Sequence, residues 1–407
     1  MAQRRVAWSR AAAASVAAGC CALGIGAAIH GYGCSVYSDA LLLPGASDGA
    51  TQDGPVVDSG TDAHDSGVME TGPGPCADLV PPPRPAMDDP SDAGDQSFVM
   101  AVHTVNMGLG DAGVAGLGYD LDSIYTHPKA PACGPESCKA ALVGATHTDG
   151  PGGVDDSAGQ LIVSLAGFDT QFNTTTINQR LQTGQYSILL QVLHYNGTQN
   201  DTQVSVGMYA ALGVENDAGA MWNGQDSWSI DSDFVANGDA QPPLPNHLDG
   251  NAYVAGGVLV MQINFPITIG SSGTAVTIQL TAGLATAKIV ATGNQTYRAT
   301  EGQIAGRWNV SDLLNAIQNV YVGTTPLCRG TTFYALIRNQ ACQYADIMTD
   351  PMQDLMPPAT VPTNTCDALS LGIGFTADPA LMGAVVPPSM KVSPCPDAGG
   401  PPDNCGP

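Results

Sequence analysis

The chain has 407 residues, 43% of them hydrophobic, enough to bury one large core or two ordinary ones. Only 12% are charged, and 13 Lys+Arg against 37 Asp+Glu leave a net charge of −24, which excludes a protein that works by neutralising nucleic-acid phosphates. With 49 Gly and 30 Pro, a helix bundle or coiled coil is excluded as well.

In chain order, the first feature is an address. Arg4, Arg5 and Arg10 precede an uncharged, Ala- and Gly-rich run from Ala11 to Ile29, and the chain then reads Gly33-Cys34-Ser35. A basic start, an apolar run and a small-residue cut point form a secretory signal. The run is just long enough to span a bilayer, but Ala and Gly partition weakly into hydrocarbon, so export is the reading over a permanent span. Around Cys34 the sequence resembles bacterial lipoproteins, in which a Cys after a small residue is lipidated and becomes the mature N-terminus. That resemblance implies residues 1–33 as signal peptide and Cys34 as the lipidation site. Gly31 departs from the family pattern, which prefers an aliphatic residue there. Cys20, after Ala17-Ala18-Gly19, fits that position slightly better, but it leaves a short apolar run before the cut and an apolar segment after it. The resemblance also implies several acyl chains, enough for stable anchoring, and Ser35 rather than Asp after the Cys implies passage to an outer membrane. Loss of residues 1–33 removes three Arg and no acid, leaving the mature chain at −27. Such a chain is repelled by an anionic surface.

Residues 34–96 read as a disordered linker. From Pro44 to Pro75 there is no Lys, Arg, Phe, Tyr or Trp, and Asp48, Asp53, Asp58, Asp62, Asp65 and Glu70 lie among small residues and prolines. This segment cannot bury enough apolar area to offset its ordering entropy, and like charges extend it. Pro81-Pro82-Pro83 and Pro85 stiffen its end.

Residues 97–378 read as a β-rich globular domain. Strands are expected at Ser97–Met107, Gln185–His194, Thr202–Leu212, Ser227–Val235, Ala252–Phe265, Thr274–Leu280, Thr286–Thr292 and Cys366–Thr376. The second and third form a hairpin through Asn196-Gly197 and Asn200-Asp201. Helices are expected at Ser157–Leu165 behind Asp155 and Asp156 as caps, at Thr174–Thr183 ending before Gly184, at Ser311–Val320 capped by Ser311, and at Thr332–Ile347. The fold class is mainly β, a two-sheet sandwich or barrel-like domain with a few short helices behind a disordered stalk. Residues 379–407, with their prolines and two Cys, read as an irregular tail.

Of the 11 Cys, Cys20 and Cys21 leave with the signal and Cys34 takes the lipid. The even remainder, Cys76, Cys133, Cys138, Cys328, Cys342, Cys366, Cys395 and Cys405, reads as four disulfides outside the cytoplasm. Spacing does not fix their connectivity; Cys133–Cys138 and Cys395–Cys405 would make local loops. A zinc site is the rival reading, but there is no CxxC pair.

From Cys34 onward the chain resembles a group of bacterial surface lipoproteins of unknown function, common in gliding deltaproteobacteria. The residues that carry this are Cys34-Ser35-Val36-Tyr37 with Leu41-Leu42-Leu43, the Asp/Gly stalk, Gly118-Tyr119-Asp120-Leu121-Asp122, the paired Cys133 and Cys138, and the run from Asp149 to Asp155. The resemblance implies surface placement and carries no activity.

Gly108-Leu109-Gly110-Asp111-Ala112-Gly113 spells GxGxxG, but Gly116 and Gly118 follow and stop the helix that a dinucleotide site needs, so it reads as a loop. There is no GxSxG or HExxH motif, and the seven His are scattered. The chemistry left to the sequence is carboxylate. Asp120/Asp122 and Asp149/Asp155/Asp156 lie beside Gly, where carbonyls and carboxylates can turn to one Ca²⁺, with Asp231/Asp233 a third pair. Solvated turns would use the same residues. Trp222, Trp228, Tyr209 and Tyr253 would suit a sugar platform or a core. The functional expectation is a non-catalytic exported lipoprotein with a binding or envelope-structural role. It would meet the membrane through its lipid anchor, and a glycan or another envelope protein as partner; nucleic acid is excluded, and no cofactor is expected other than Ca²⁺. The alternative is an exported hydrolase acting on extracellular polymer.

Overall fold

The computed structural model describes residues 78–405 except 91–94, 109–115, 127–132, 135, 144, 146, 167–172, 237–242, 264–265, 270–275, 294, 323–324, 356–360, 388–393 and 396–402. Cys34, the expected stalk up to residue 77, Cys76 and most of the GxGxxG stretch lie outside the described residues.

After the extended segment 78–90 come β1 (Gln96–Asn106), α1 (Ser157–Ala166), α2 (Thr174–Gln182), β2 (Ser187–Tyr195), β3 (Asp201–Val214), β4 (Ser227–Asp231), β5 (Leu248–Ala255), β6 (Val258–Ile263) and β7 (Pro266–Ile269). The chain continues through β8 (Val276–Gly293), β9 (Thr296–Asn309), α3 (Val310–Ala316), β10 (Tyr321–Val322), β11 (Thr325–Pro326), α4 (Thr332–Tyr344), β12 (Ala368–Pro379) and β13 (Leu381–Val386). Eight strands close a barrel in the order β1-β2-β3-β5-β6-β8-β9-β12 and back to β1, with every pair antiparallel. The barrel strands follow one another in sequence, an up-and-down meander that removes sheet edges by closure. Of the two expected architectures, the barrel is the one formed. Short β7 pairs with β8 beside it, and β4 and β13 extend from β3.

Alternation builds the interior. In β2, Leu190 and Val192 face the barrel core, while Leu189 joins Ala101, Tyr209, Trp228 and Ile230 in a second apolar cluster outside. Phe98, Tyr195 and Tyr297 pack edge and face near one end, with ring centroids 4.5–6.0 Å apart. At another end α2 presents Ile177 and Leu181 to Val102, Ile278 and Leu371, leaving an apolar cavity of about 30 Å³. Asn178 on α2 accepts from the Val105 N–H at 2.7 Å and donates to its carbonyl at 2.8 Å, replacing a strand partner.

Several expected boundaries change. The run Ala252–Phe265 is cut into β5 and β6 at Gly256-Gly257, both at positive φ (58° and 80°), in a tight turn that a side chain would strain. The expected strands Thr274–Leu280 and Thr286–Thr292 are one strand, β8, whose register shifts between Thr281 and Leu284 at a bulge. Strand β9 was not expected. Residue 379, expected to begin an irregular tail, ends β12, and β13 follows. Helix α1 keeps its expected Asp156 cap, with Gly159 N donating to Asp156 Oδ1 at 3.1 Å, but α3 is capped by Asn309 rather than Ser311.

Neither local disulfide loop forms. Cys138 bonds Cys366, Cys328 bonds Cys395 and Cys342 bonds Cys405. Cys133 is also disulfide-bonded. Described parts of the two long insertions, between β1 and β2 and between β9 and β12, pack as a layer on the outer wall of β8, β9 and β12, and Cys138–Cys366 joins them. The bonds from Cys328 and Cys342 hold the C-terminal segment to the second insertion.

Candidate metal centre

The outer layer rests on the barrel wall through polar contacts. Gly118 N donates to Gln303 Oε1 (2.9 Å) on β9, and the Tyr119 hydroxyl meets Thr286 Oγ1 (2.7 Å) on β8. The backbone at Leu117 runs so close to β12 that a Cβ on Gly372 would sit 2.1 Å from the Leu117 carbonyl oxygen. Arg307 on β9, 1% exposed, pairs with Asp354 at 2.6 Å and donates to the carbonyls of Met348 and Leu121, both at 2.6 Å.

On this seat the two acidic loops converge. Asp155 N donates to the Tyr119 carbonyl (3.1 Å) and Leu121 N to Asp155 Oδ2 (2.7 Å). Asp120 Oδ1 accepts from Ser123 N (2.6 Å) and Asp122 Oδ1 from Ile124 N (2.8 Å). One ligand oxygen from each of Asp120, Asp122 and Asp155 lies within 4.8 Å of the other two. Asp120 and Asp155 are buried and Asp122 is half-buried. Asp149 N donates to the Thr126 carbonyl, and the Asp149 carboxylate accepts from Thr126 N.

The electrostatics follow from crowding. Burial first, then neighbouring acids, push the Asp120 carboxyl up to about 6, Asp122 to about 7 and Asp149 to about 8. Asp155 is raised well above the carboxylate range by burial and by Asp122, Asp149 and Asp346. Backbone hydrogen bonds oppose the shifts without cancelling them.

Of the acids singled out in sequence, Asp120, Asp122 and Asp155 are brought together, with Asp149 close enough to repel them. Asp156 is turned away: its Oδ1 caps α1 and accepts from Gly372 N at 2.9 Å. Asp231 caps a short 3₁₀ turn. Sequence reasoning missed three acids here. Asp346 is held by Ser157 and Ser370, Asp354 pairs with Arg307, and Asp78 lies beside Asp120 and raises its proton affinity. Asp346 and Asp354 come from the second insertion and Asp78 from the segment before β1, and no local spacing links them to 118–122.

The four aromatics make no exposed platform. Trp228 and Tyr209 are fully buried, Tyr253 lies beneath Arg84 and donates to the Pro82 carbonyl, and Trp222 stacks on His103 at 4.0 Å. No helix among the described residues is long and apolar enough to cross a membrane. The chain matches no family model, no curated protein and no solved structure.

Proposed function

We propose that the chain is an exported lipoprotein, tethered through Cys34, whose barrel has a binding or envelope-structural role and performs no catalysis. The observation that carries this reading is the filled barrel. An eight-stranded barrel can hold one small ligand, but among the described residues aliphatic and aromatic side chains occupy the interior, and the cavity beneath α2, about 30 Å³, is far below a small-molecule site. Partners then meet the outside of the barrel.

The hydrolase reading has one observation in its favour. His103 Nδ1 is 2.7 Å from Asp378 Oδ2, the pairing that orients a catalytic imidazole. Against it, the ring is stacked on Trp222, and none of its described hydrogen bonds goes to a hydroxyl or thiol.

Two measurements test the proposal. Cys34→Ala should move the protein from the membrane to the soluble fraction; unchanged fractionation with labelled lipid still attached would place the anchor at Cys20. The solubilised mature protein should release no soluble fragments from purified envelope polysaccharide or protein. Fragment release that His103→Ala abolishes would replace this reading with the hydrolase.

A further inference from the structure

We propose that Asp120, Asp122 and Asp155 together bind one hard divalent cation of the Ca²⁺ class, at the seam between the barrel wall and its outer layer. Three observations carry this. The first is spacing. Three carboxylate oxygens within 4.8 Å of one another fit around a single ion with metal–oxygen distances of roughly 2.3–2.6 Å. The second is an unsatisfied atom on a member of the group. Asp120 is 7% exposed and its Oδ1 is engaged by Ser123 N, but its buried Oδ2 has no hydrogen-bond partner. A buried carboxylate oxygen without a donor is costly, and a cation is the partner that would satisfy it. The third is the absence of protein countercharge. Among the described residues no ion pair involves Asp120, Asp122 or Asp155, and the nearby buried cation, Arg307, is taken by Asp354 and two carbonyls.

The donor chemistry selects the ion. The group is all carboxylate, with no His or Cys, which suits hard Ca²⁺ and not zinc. The backbone N–H groups of Leu121, Ser123 and Ile124 each hold one oxygen of a member, so the carboxylates are oriented before the ion arrives. Water completes the shell, and the variable coordination of Ca²⁺ tolerates this better than the octahedron of Mg²⁺. The ion would also fasten the segment that arrives from residue 78. Leu79 bonds Gly152 and Asp120 through its backbone at 2.7 and 2.9 Å, and Asp78 lies beside Asp120.

The test is calorimetric titration of the detergent-solubilised mature chain with CaCl₂, alongside thermal unfolding in about 1 mM Ca²⁺, about 1 mM Mg²⁺ or chelator, levels set by extracellular Ca²⁺ sites. One ion should bind per chain. The melting temperature should rise by about 3 °C or more in Ca²⁺, and less in Mg²⁺. Asp122→Asn and Asp155→Asn should each weaken binding by about 100-fold or more, with one charged ligand lost. In chelator both variants should melt at or above the parent's temperature, since repulsion is removed, so loss of binding is not confused with loss of folding. Exposed Asp217→Asn is the control and should bind as the parent does. No binding heat at about 1 mM Ca²⁺, or an undiminished melting shift in Asp122→Asn and Asp155→Asn, would overturn the proposal.

Discussion

Arg307 shows how single residues hold the outer layer to the barrel. Its guanidinium is buried on the outer face of β9 and reaches three groups on two insertions: the Leu121 carbonyl in the first, and the Met348 carbonyl and Asp354 carboxylate in the second. Asp354 stays raised above its ordinary value because burial outweighs the guanidinium beside it. A pair of this kind adds little over an apolar pair, but removing one member strands the other. Arg307→Met should therefore destabilise the protein by about 3–5 kcal/mol in urea unfolding. The double variant Arg307→Met/Asp354→Leu should recover part of that loss. Equal loss in both would mean the two carbonyls, and not the carboxylate, dominate.

At the scale of elements, the layer's seat depends on close backbone approach. Gly372 and Gly374 both lie on β12 and both face Leu117, but they differ in what an added Cβ would meet. At Gly372 it would be 2.1 Å from a backbone oxygen; at Gly374 the nearest atoms are the Asn106 Cβ and the movable Leu117 Cδ2, both at 3.3 Å. Gly372→Ala should cost about 2–3 kcal/mol or more by lifting the layer, and Gly374→Ala under about 1 kcal/mol, both read by urea unfolding. Such contacts also explain what the sequence revealed and what it hid. Strands β1, β2, β3 and β12 and helices α1 and α2 were legible because one face is apolar and their ends carry turn or capping residues. Strand β9 was not, because Arg298, Glu301, Gln303 and Arg307 interrupt its apolar pattern. Gln303 and Arg307 meet the covering layer instead of water, so neither face reads simply. The Gly256-Gly257 turn was hidden inside an apolar run that continues on both sides, and the two strands expected on either side of residues 281–285 are one because a bulge between Thr281 and Leu284 lets β8 continue. The acidic loops were legible as a pair, since Asp beside Gly marks both. What joins them was not: no Cys133–Cys138 loop forms, and Cys138 reaches across the sequence to Cys366, a distance no spacing rule encodes. Asp78, Asp346 and Asp354 enter the same region through tertiary contacts alone.

For the whole molecule, the acids dominate how stability depends on pH. The chain carries 37 Asp+Glu against 13 Lys+Arg, and several of those acids are buried together on one side of the barrel. Asp120, Asp122 and Asp149 have folded-state values of about 6, 7 and 8 against an ordinary 3.8, and Asp155 and Asp156 are raised as well. A raised carboxyl binds its proton more tightly folded than unfolded. Its contribution to stability is therefore fully present below the unfolded value and is lost as pH rises through the folded one. Without divalent cations the protein should be more stable near pH 5.5 than near pH 8.5, which reverses the usual carboxylate trend. His247 acts the other way: burial lowers its value, so it costs stability as pH falls below its ordinary 6.5, but it is one group against several. In chelator the melting temperature should drop by about 5 °C or more between those two pH values. With Ca²⁺ bound, the carboxylates are charged and neutralised together, so the slope should flatten, and the gain from Ca²⁺ should grow with pH. A melting temperature that rises with pH in chelator would mean that these acids are solvated and carry no excess protons in the folded state.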